Sequence, residues 1–141
     1  MNMEYEERQI EVGGLTTRYL TAGNNDPPLV LLHGVGDSAI DWSWIIEDIG
    51  TQHRVLAPDF PGAGDSAKPD RNYSIDFLTQ FLSDFLHTLE IPKALLGGNS
   101  LGGLIALRFA LSNPEQVPAL ILVDSMGCGQ VVNPICSELQ T

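Results

Sequence analysis

Apolar and polar positions change their period several times along the chain, and each change marks an element. Near the N-terminus, "RQIEVGG" and "LTTRYLTAG" read as two short strands meeting at Gly13 and Gly14, which predicts an antiparallel hairpin. After the turn cluster "NNDPP", the run "LVLLHG" is apolar without alternation, as expected of a strand buried on both faces. "HRVLAPDF", "KALLGGN" and "PALILVDS" have the same character. Between these runs the period lengthens to that of a helix, around Ile40 to Ile49, Ser74 to Glu90 and Ser100 to Ser112. The middle segment is the clearest. Ile75, Leu78, Phe81, Leu82, Phe85, Leu86 and Leu89 recur at steps of three and four, while Asp76, Gln80, Ser83, Asp84 and His87 form the polar face and Ser74 is placed to cap it. Asn113 and Pro114 stop the third segment. Strand alternating with helix predicts an α/β fold: a mostly parallel, twisted sheet with helices on both faces and right-handed crossovers.

Composition narrows the partners. A chain of 141 residues with 43% hydrophobic content suffices for one core. With 18 acidic against 7 basic residues the net charge is −11, which excludes a polyanion as partner, so no nucleic acid is expected. No apolar run approaches the ~18 residues of a membrane span, and "MNMEYEERQI" is charged where a secretory signal needs an apolar stretch, so no membrane partner and a cytoplasmic location are expected. Cys128 and Cys136 have no His or further Cys at ligand spacing, and neither a metal nor a cofactor is expected.

Candidate chemistry centres on Gly98-Asn99-Ser100-Leu101-Gly102, which fits G-x-S-x-G with an apolar strand before it and a helical pattern after it. A serine on so sharp a turn occupies a strained backbone, and the residues two before and two after must lack side chains for strand and helix to approach. Gly98 and Gly102 meet that structural demand. The alternative is a glycine-rich turn or an anion-binding helix N-terminus, but G-x-x-x-x-G-K-[ST] and a nearby phosphate-holding Lys are absent from the sequence.

Two further motifs stand in order before this one: His33-Gly34 at the end of an apolar strand, and Asp59-Phe60-Pro61-Gly62-Ala63-Gly64-Asp65-Ser66 after the next. Together the three make the chain, from about residue 8 onward, resemble the α/β-hydrolase superfamily, and within it the cap-bearing esterases and the hydrolases that cleave carbon–carbon bonds of ring-cleavage products. The resemblance implies that Ser100 is the nucleophile and that the backbone N–H groups of Leu101 and Val35 form an oxyanion hole, with Gly36 the alternative donor if the loop is shifted. Gly34, Gly36 and Trp42 are the expected substrate-binding positions. It implies that His33 holds the oxyanion loop by hydrogen bonding rather than abstracting a proton, and that Asp59, Gly62 and Gly64 shape the loop after their strand. Trp42 and Trp44 are expected to pack the first helix, unless one lines a substrate pocket.

A serine hydroxyl needs a base, and the base an orienting acid. In the resembled family these follow the eighth and seventh strands, whereas this sequence reaches its sixth. Of the three histidines, His33 belongs to the oxyanion loop, His53 begins a strand away from the elbow and His87 lies on a polar helix face. Asp124 is either an acid, as in some family branches, or a local turn residue. The expected division is an N-terminal part of the hydrolase core over 1–125, an incomplete α/β-hydrolase fold ending after the sixth strand, and the start of a cap over 126–141, as in the N-terminal half of a longer hydrolase. In that arrangement "ALILVDS" becomes an exposed apolar sheet edge, an expected site of self-association. The expected reaction is hydrolysis of a small, mainly apolar ester or related carbonyl substrate through an acyl-enzyme, with the chain inactive alone for want of the triad His. The alternatives are carbon–carbon bond hydrolysis and a non-catalytic fragment or interaction module. Ser rather than Asp at position 100 argues against haloalkane dehalogenase and epoxide hydrolase chemistry, which use a carboxylate nucleophile in this fold.

Overall fold

A computed structural model describes residues 4–127. Six strands form one mixed sheet: β1 (Glu6–Val12), β2 (Leu15–Ala22), β3 (Leu29–Leu32), β4 (Val55–Pro58), β5 (Leu95–Asn99) and β6 (Leu120–Val123), in the order β1-β2-β4-β3-β5-β6. The first two pair antiparallel through the turn at Gly13 (φ 55°) and Gly14 (φ 80°), where the backbone needs a conformation only glycine enters freely. β2 runs antiparallel to β4, while β4, β3, β5 and β6 are parallel neighbours. The helices are α1 (Ser43–Gly50), α2 (Ile75–Thr88) and α3 (Leu101–Ser112). The expected first helix is divided, because a 3-10 turn over Ala39–Trp42, capped by the Ser38 hydroxyl, precedes α1. Among the described residues no helix is long and apolar enough to cross a membrane.

The unalternating apolar runs are explained by two cores, one on each face of the sheet. Val30, Leu32, Leu56 and Leu96 point toward α2 and α3, meeting Leu82, Phe85, Ile105 and Phe109. Leu29, Leu31, Val55 and Ala57 point the other way, toward Ile46 of α1. Adjacent residues of one strand thus serve different cores, which a four-residue strand achieves only by being apolar throughout. Helix α2 begins where the Ser74 hydroxyl accepts the Phe77 N–H at 3.1 Å, and it buries the face running from Ile75 to Leu86. Phe85, fully buried, stacks on Phe81 and meets Tyr19 edge-on. Removing such a side chain from water contributes on the order of 2–3 kcal/mol.

The two edges of the sheet differ. β1 exposes Glu6, Glu7, Arg8, Gln9 and Glu11, charges and amides that discourage further pairing. β6, at the other edge, is Leu-Ile-Leu-Val with Ile121, Leu122 and Val123 exposed and no charge among them. Of the expected cap segment 126–141, only Met126 and Gly127 fall among the described residues.

Candidate active site

Ser100 is the single residue between the end of β5 and the start of α3. Its backbone sits at φ 53°, ψ −115°, a region that residues with a Cβ rarely occupy. Such a conformation costs roughly 1–3 kcal/mol and persists only where the surroundings impose it. Here the Ser100 N–H donates to the Val123 carbonyl at 3.1 Å, and the Ser100 carbonyl accepts from Leu104 N at 3.2 Å and Met126 N at 3.1 Å. The flanking glycines permit the close approach. A Cβ on Gly98 would collide with the Gly102 carbonyl and the Gly103 nitrogen, and one on Gly102 would land on the carbonyls of Leu32 and His33. Gly103 is constrained less rigidly, by a side chain, since a Cβ there would lie 2.6 Å from Ser125 Oγ. The G-x-S-x-G-G spacing therefore records three contacts of the N-terminal turn of α3 with β5, with the end of β3 and with the segment after β6.

The loop after β3 comes up against the elbow. A Cβ on Gly34 would stand 3.4 Å from Ser100 Cβ. Gly34 to Asp37 forms a tight turn, closed by Asp37 N–H donating to Gly34 O at 3.3 Å, with Gly36 at φ 77° in the third position, as a type II turn demands. Val35 occupies the second position and its side chain is 60% exposed, so the loop presents backbone rather than packing at that residue. Neither the Val35 N–H nor the Leu101 N–H donates a hydrogen bond among the described residues; Leu101 opens α3, where the first-turn amides have no intrahelical acceptor.

His33 is buried and both ring nitrogens are engaged by backbone. Phe60 N–H donates to Nε2 at 3.0 Å, so Nε2 is an acceptor without a proton, and Nδ1–H donates to Gly34 O at 2.8 Å. The ring also meets Phe60 edge-on at 4.9 Å. Burial lowers the pKa of this imidazole below the ordinary 6.5, outweighing its bond to Gly34 O and the nearby Asp59, Asp37 and Asp41 carboxylates. A neutral ring whose nitrogens are both committed holds the loop and is unavailable to take a proton from serine.

Asp59, completely buried, is the other anchor of this region. One oxygen accepts the Ala39 N–H at 2.7 Å; the other accepts Arg18 Nε at 2.6 Å and Asp65 N–H at 2.8 Å. A Cβ on Gly64 (φ 52°) would strike the same carboxylate. The "PGAGDS" loop is therefore wrapped around Asp59, and the Ser66 hydroxyl closes the wrap by donating to Asp59 O at 2.9 Å and accepting Arg18 N–H at 3.0 Å. Asp59 is thus more than the loop-shaping residue expected, and Arg18, which no sequence motif singles out, is its partner. The available signal was one arginine in an otherwise uncharged strand, with an aspartate ending the apolar run beside it.

At the carboxyl ends of the strands a cleft of about 270 Å³ is lined by His33, Asp41, Trp42, Asn99, Val123 and Asp124. Trp42 and Asp124 thus share one cleft beside the elbow, and Asp124, at φ 44°, ends β6 in a left-handed turn. A larger hollow of about 610 Å³ lies elsewhere, at the end of α2, between His87, Glu90, Ile91 and Gln116, and includes none of the expected site residues. The elbow's geometry, not the size of a hollow, locates the candidate site. Trp42 packs partly against the α1-side core, as expected, but Trp44 does not pack: it is 89% exposed. Two residues along a helix amount to about 200°, so burying Ile46 turns Trp44 to the opposite side. His53 lies in the turn after α1, its N–H donating to Ile49 O at 3.0 Å, and His87 is exposed on α2. The structure brings Ser100, Gly34, Asn99 and the neighbouring cleft together and brings no free histidine to them among the described residues.

Comparison with known proteins places this arrangement. A family model described as the alpha/beta hydrolase fold matches residues 27–135. The 2-hydroxy-6-oxo-6-(2'-aminophenyl)hexa-2,4-dienoic acid hydrolase of Metapseudomonas resinovorans is 38% identical over 127 residues, covering 87% of this chain and 43% of that protein. Among solved structures, a membrane phospholipase A superposes with a TM-score of 0.86 at 32% identity, covering 92% of this chain and 43% of that one. A serine hydrolase involved in carbazole degradation does so with a TM-score of 0.82 at 38% identity, covering 91% of this chain and 50% of that one. The chain spans between 33% and 45% of the length of eight curated relatives that it matches.

Proposed function

The chain belongs to the alpha/beta hydrolase family, and from that premise we propose that it carries the nucleophile and oxyanion half of a serine hydrolase acting on a small, mainly apolar ester or related carbonyl substrate. One observation carries the reading: Ser100 is held at φ 53° between β5 and α3 with the Gly34–Asp37 turn against it. In this scheme Ser100 Oγ attacks the substrate carbonyl carbon while the N–H groups of Leu101 and Val35 donate to the developing oxyanion. Two such donors, fixed before the reaction, typically stabilise the transition state by several kcal/mol. The serine proton passes to a base and on to the departing alkoxide, leaving an acyl-enzyme that water cleaves to acid and restored serine. The cleft lined by Trp42, Asn99 and Asp124 receives the part of the substrate beside the carbonyl.

Proton transfer needs a histidine that this chain's three histidines do not supply, since His33 is committed to the backbone and His53 and His87 stand apart. The division proposed at residue 126, core before it and cap after it, assigns substrate selection to residues beyond those described. Carbon–carbon bond hydrolysis is a second reading, supported by the 38% identity to a hydrolase of that substrate type. The two share Ser100 and the oxyanion donors and differ in the bond broken.

Hydrolysis of a short-chain activated ester by the wild-type chain and by Ser100→Ala tests the proposal. The wild-type chain is expected to release the leaving group in a slow acylation of Ser100 without sustained turnover, and Ser100→Ala to abolish that acylation, because the hydroxyl can attack an activated ester unassisted whereas deacylation needs the missing base. Acylation equal in the two proteins refutes the assignment of Ser100.

A further inference from the structure

We infer that Arg18, on β2, is a positioning residue for the oxyanion loop, acting through Asp59; the catalytic consequence rests on the reading of Val35 as an oxyanion donor. The five residues 34–38 that carry Val35 are pinned at both ends to two consecutive residues of the β4 end. On one side the His33 ring takes the Phe60 N–H at 3.0 Å, and on the other Asp59 takes the Ala39 N–H at 2.7 Å. The first anchor is a neutral ring. The second is a carboxylate buried to 0% exposure, which keeps its orientation only with a partner.

Arg18 is that partner, and its geometry is directional. Its Nε donates to Asp59 Oδ2 at 2.6 Å, the oxygen remote from Ala39, leaving Oδ1 free to hold the loop. The outer face of the guanidinium reaches Asp65 Oδ2 at 3.1 Å and Glu7 Oε2 at 3.7 Å, both on exposed side chains. Burial by itself would lower the guanidinium pKa, but the carboxylates of Asp59, Asp65 and Glu7 outweigh that and hold it above its ordinary value, so the cation persists. A lysine at this position supplies the charge without the planar fork that satisfies Asp59 from the side while reaching outward to Asp65. Removal of Arg18 leaves a buried carboxylate with one N–H donor on Oδ2 and no cation, so it turns toward water and releases Ala39.

The test uses the 141-residue chain and reads backbone amide hydrogen exchange by NMR, with ester turnover beside it, for Arg18→Met, Arg18→Lys and wild type. Arg18→Met is expected to speed exchange at Ala39 and the neighbouring loop amides by about tenfold or more while amides of α2 stay within about twofold, the pattern of a local rather than a global opening. Arg18→Lys is expected to fall between. Where wild-type turnover is measurable, kcat falls with KM nearly unchanged, as for an interaction made in the transition state. Unchanged exchange at Ala39 in folded Arg18→Met overturns the inference, as does an equal rise throughout the chain. If Arg18→Met does not fold, Arg18→Lys decides alone: exchange at Ala39 raised above α2 supports the inference, and exchange at the wild-type rate refutes it. Absence of wild-type turnover is what a chain without its triad histidine predicts; absence of acylation at Ser100 counts against the proposed function, and either leaves the exchange result standing.

Discussion

At the scale of the residue, His33 has the most sharply defined state. Its neutral Nδ1–H form is the one that can accept from Phe60 and donate to Gly34 at once, and protonation of Nε2 would set an N–H against the Phe60 N–H. Because burial places the folded pKa below the ordinary 6.5, folding favours the neutral ring. That contribution is complete above about pH 6.5 and is lost as pH falls through the lowered folded value. Urea midpoints measured at pH 7.5 and near pH 5 are expected to drop on acidification, and to drop less in His33→Gln, whose amide oxygen can still accept from Phe60. An equal drop in both proteins contradicts the state assigned to this ring. The role of His33 in holding the loop was implied by the family resemblance, but its tautomer was not legible, because Phe60 reaches it from the loop after β4.

At the scale of the element, the spacing of glycines carried most of the information. Gly98 and Gly102 are separated along the chain as the strand-to-helix turn requires, so the elbow was readable from sequence, whereas the close approach of Gly103 to Ser125 was not. Gly102→Ala is expected to destabilise by at least about 2 kcal/mol, because its Cβ meets two backbone carbonyls that cannot swing aside as a side chain can. A thermal melt checks this, and a Gly102→Ala midpoint equal to wild type removes the close-approach account. Helix α2 was equally legible, since one apolar face and a Ser74 cap specify a helix locally. The first helix was less so. Its division into a 3-10 turn and a short α1 turns Trp44 out to solvent, and only the position of Ile46 against the sheet decides that rotation. The Arg18–Asp59 pair lies beyond local reading for the same reason, being formed by residues 41 apart in sequence.

At the scale of the molecule, the two edges of the sheet differ among the described residues, one charged and the other apolar and exposed. β1 carries charges, and β6 presents Ile121, Leu122 and Val123 without any. The 141-residue chain is therefore expected to associate through β6, with an average mass in sedimentation velocity that rises with concentration, and Ile121→Lys is expected to suppress the rise. A wild-type mass independent of concentration contradicts this. The same asymmetry runs through the candidate site, where the Ser100 turn and the Gly34–Asp37 turn proposed to hold the oxyanion lie among the described residues and a free histidine does not. An absent base can be supplied in solution. The most direct test reacts the chain with an activated acetate ester, with and without added imidazole, and maps the acetyl group by mass spectrometry. The account predicts acetylation at Ser100 that imidazole accelerates and that Ser100→Ala abolishes; acetyl groups spread over other serines and lysines, at the same rate in both proteins, would contradict it.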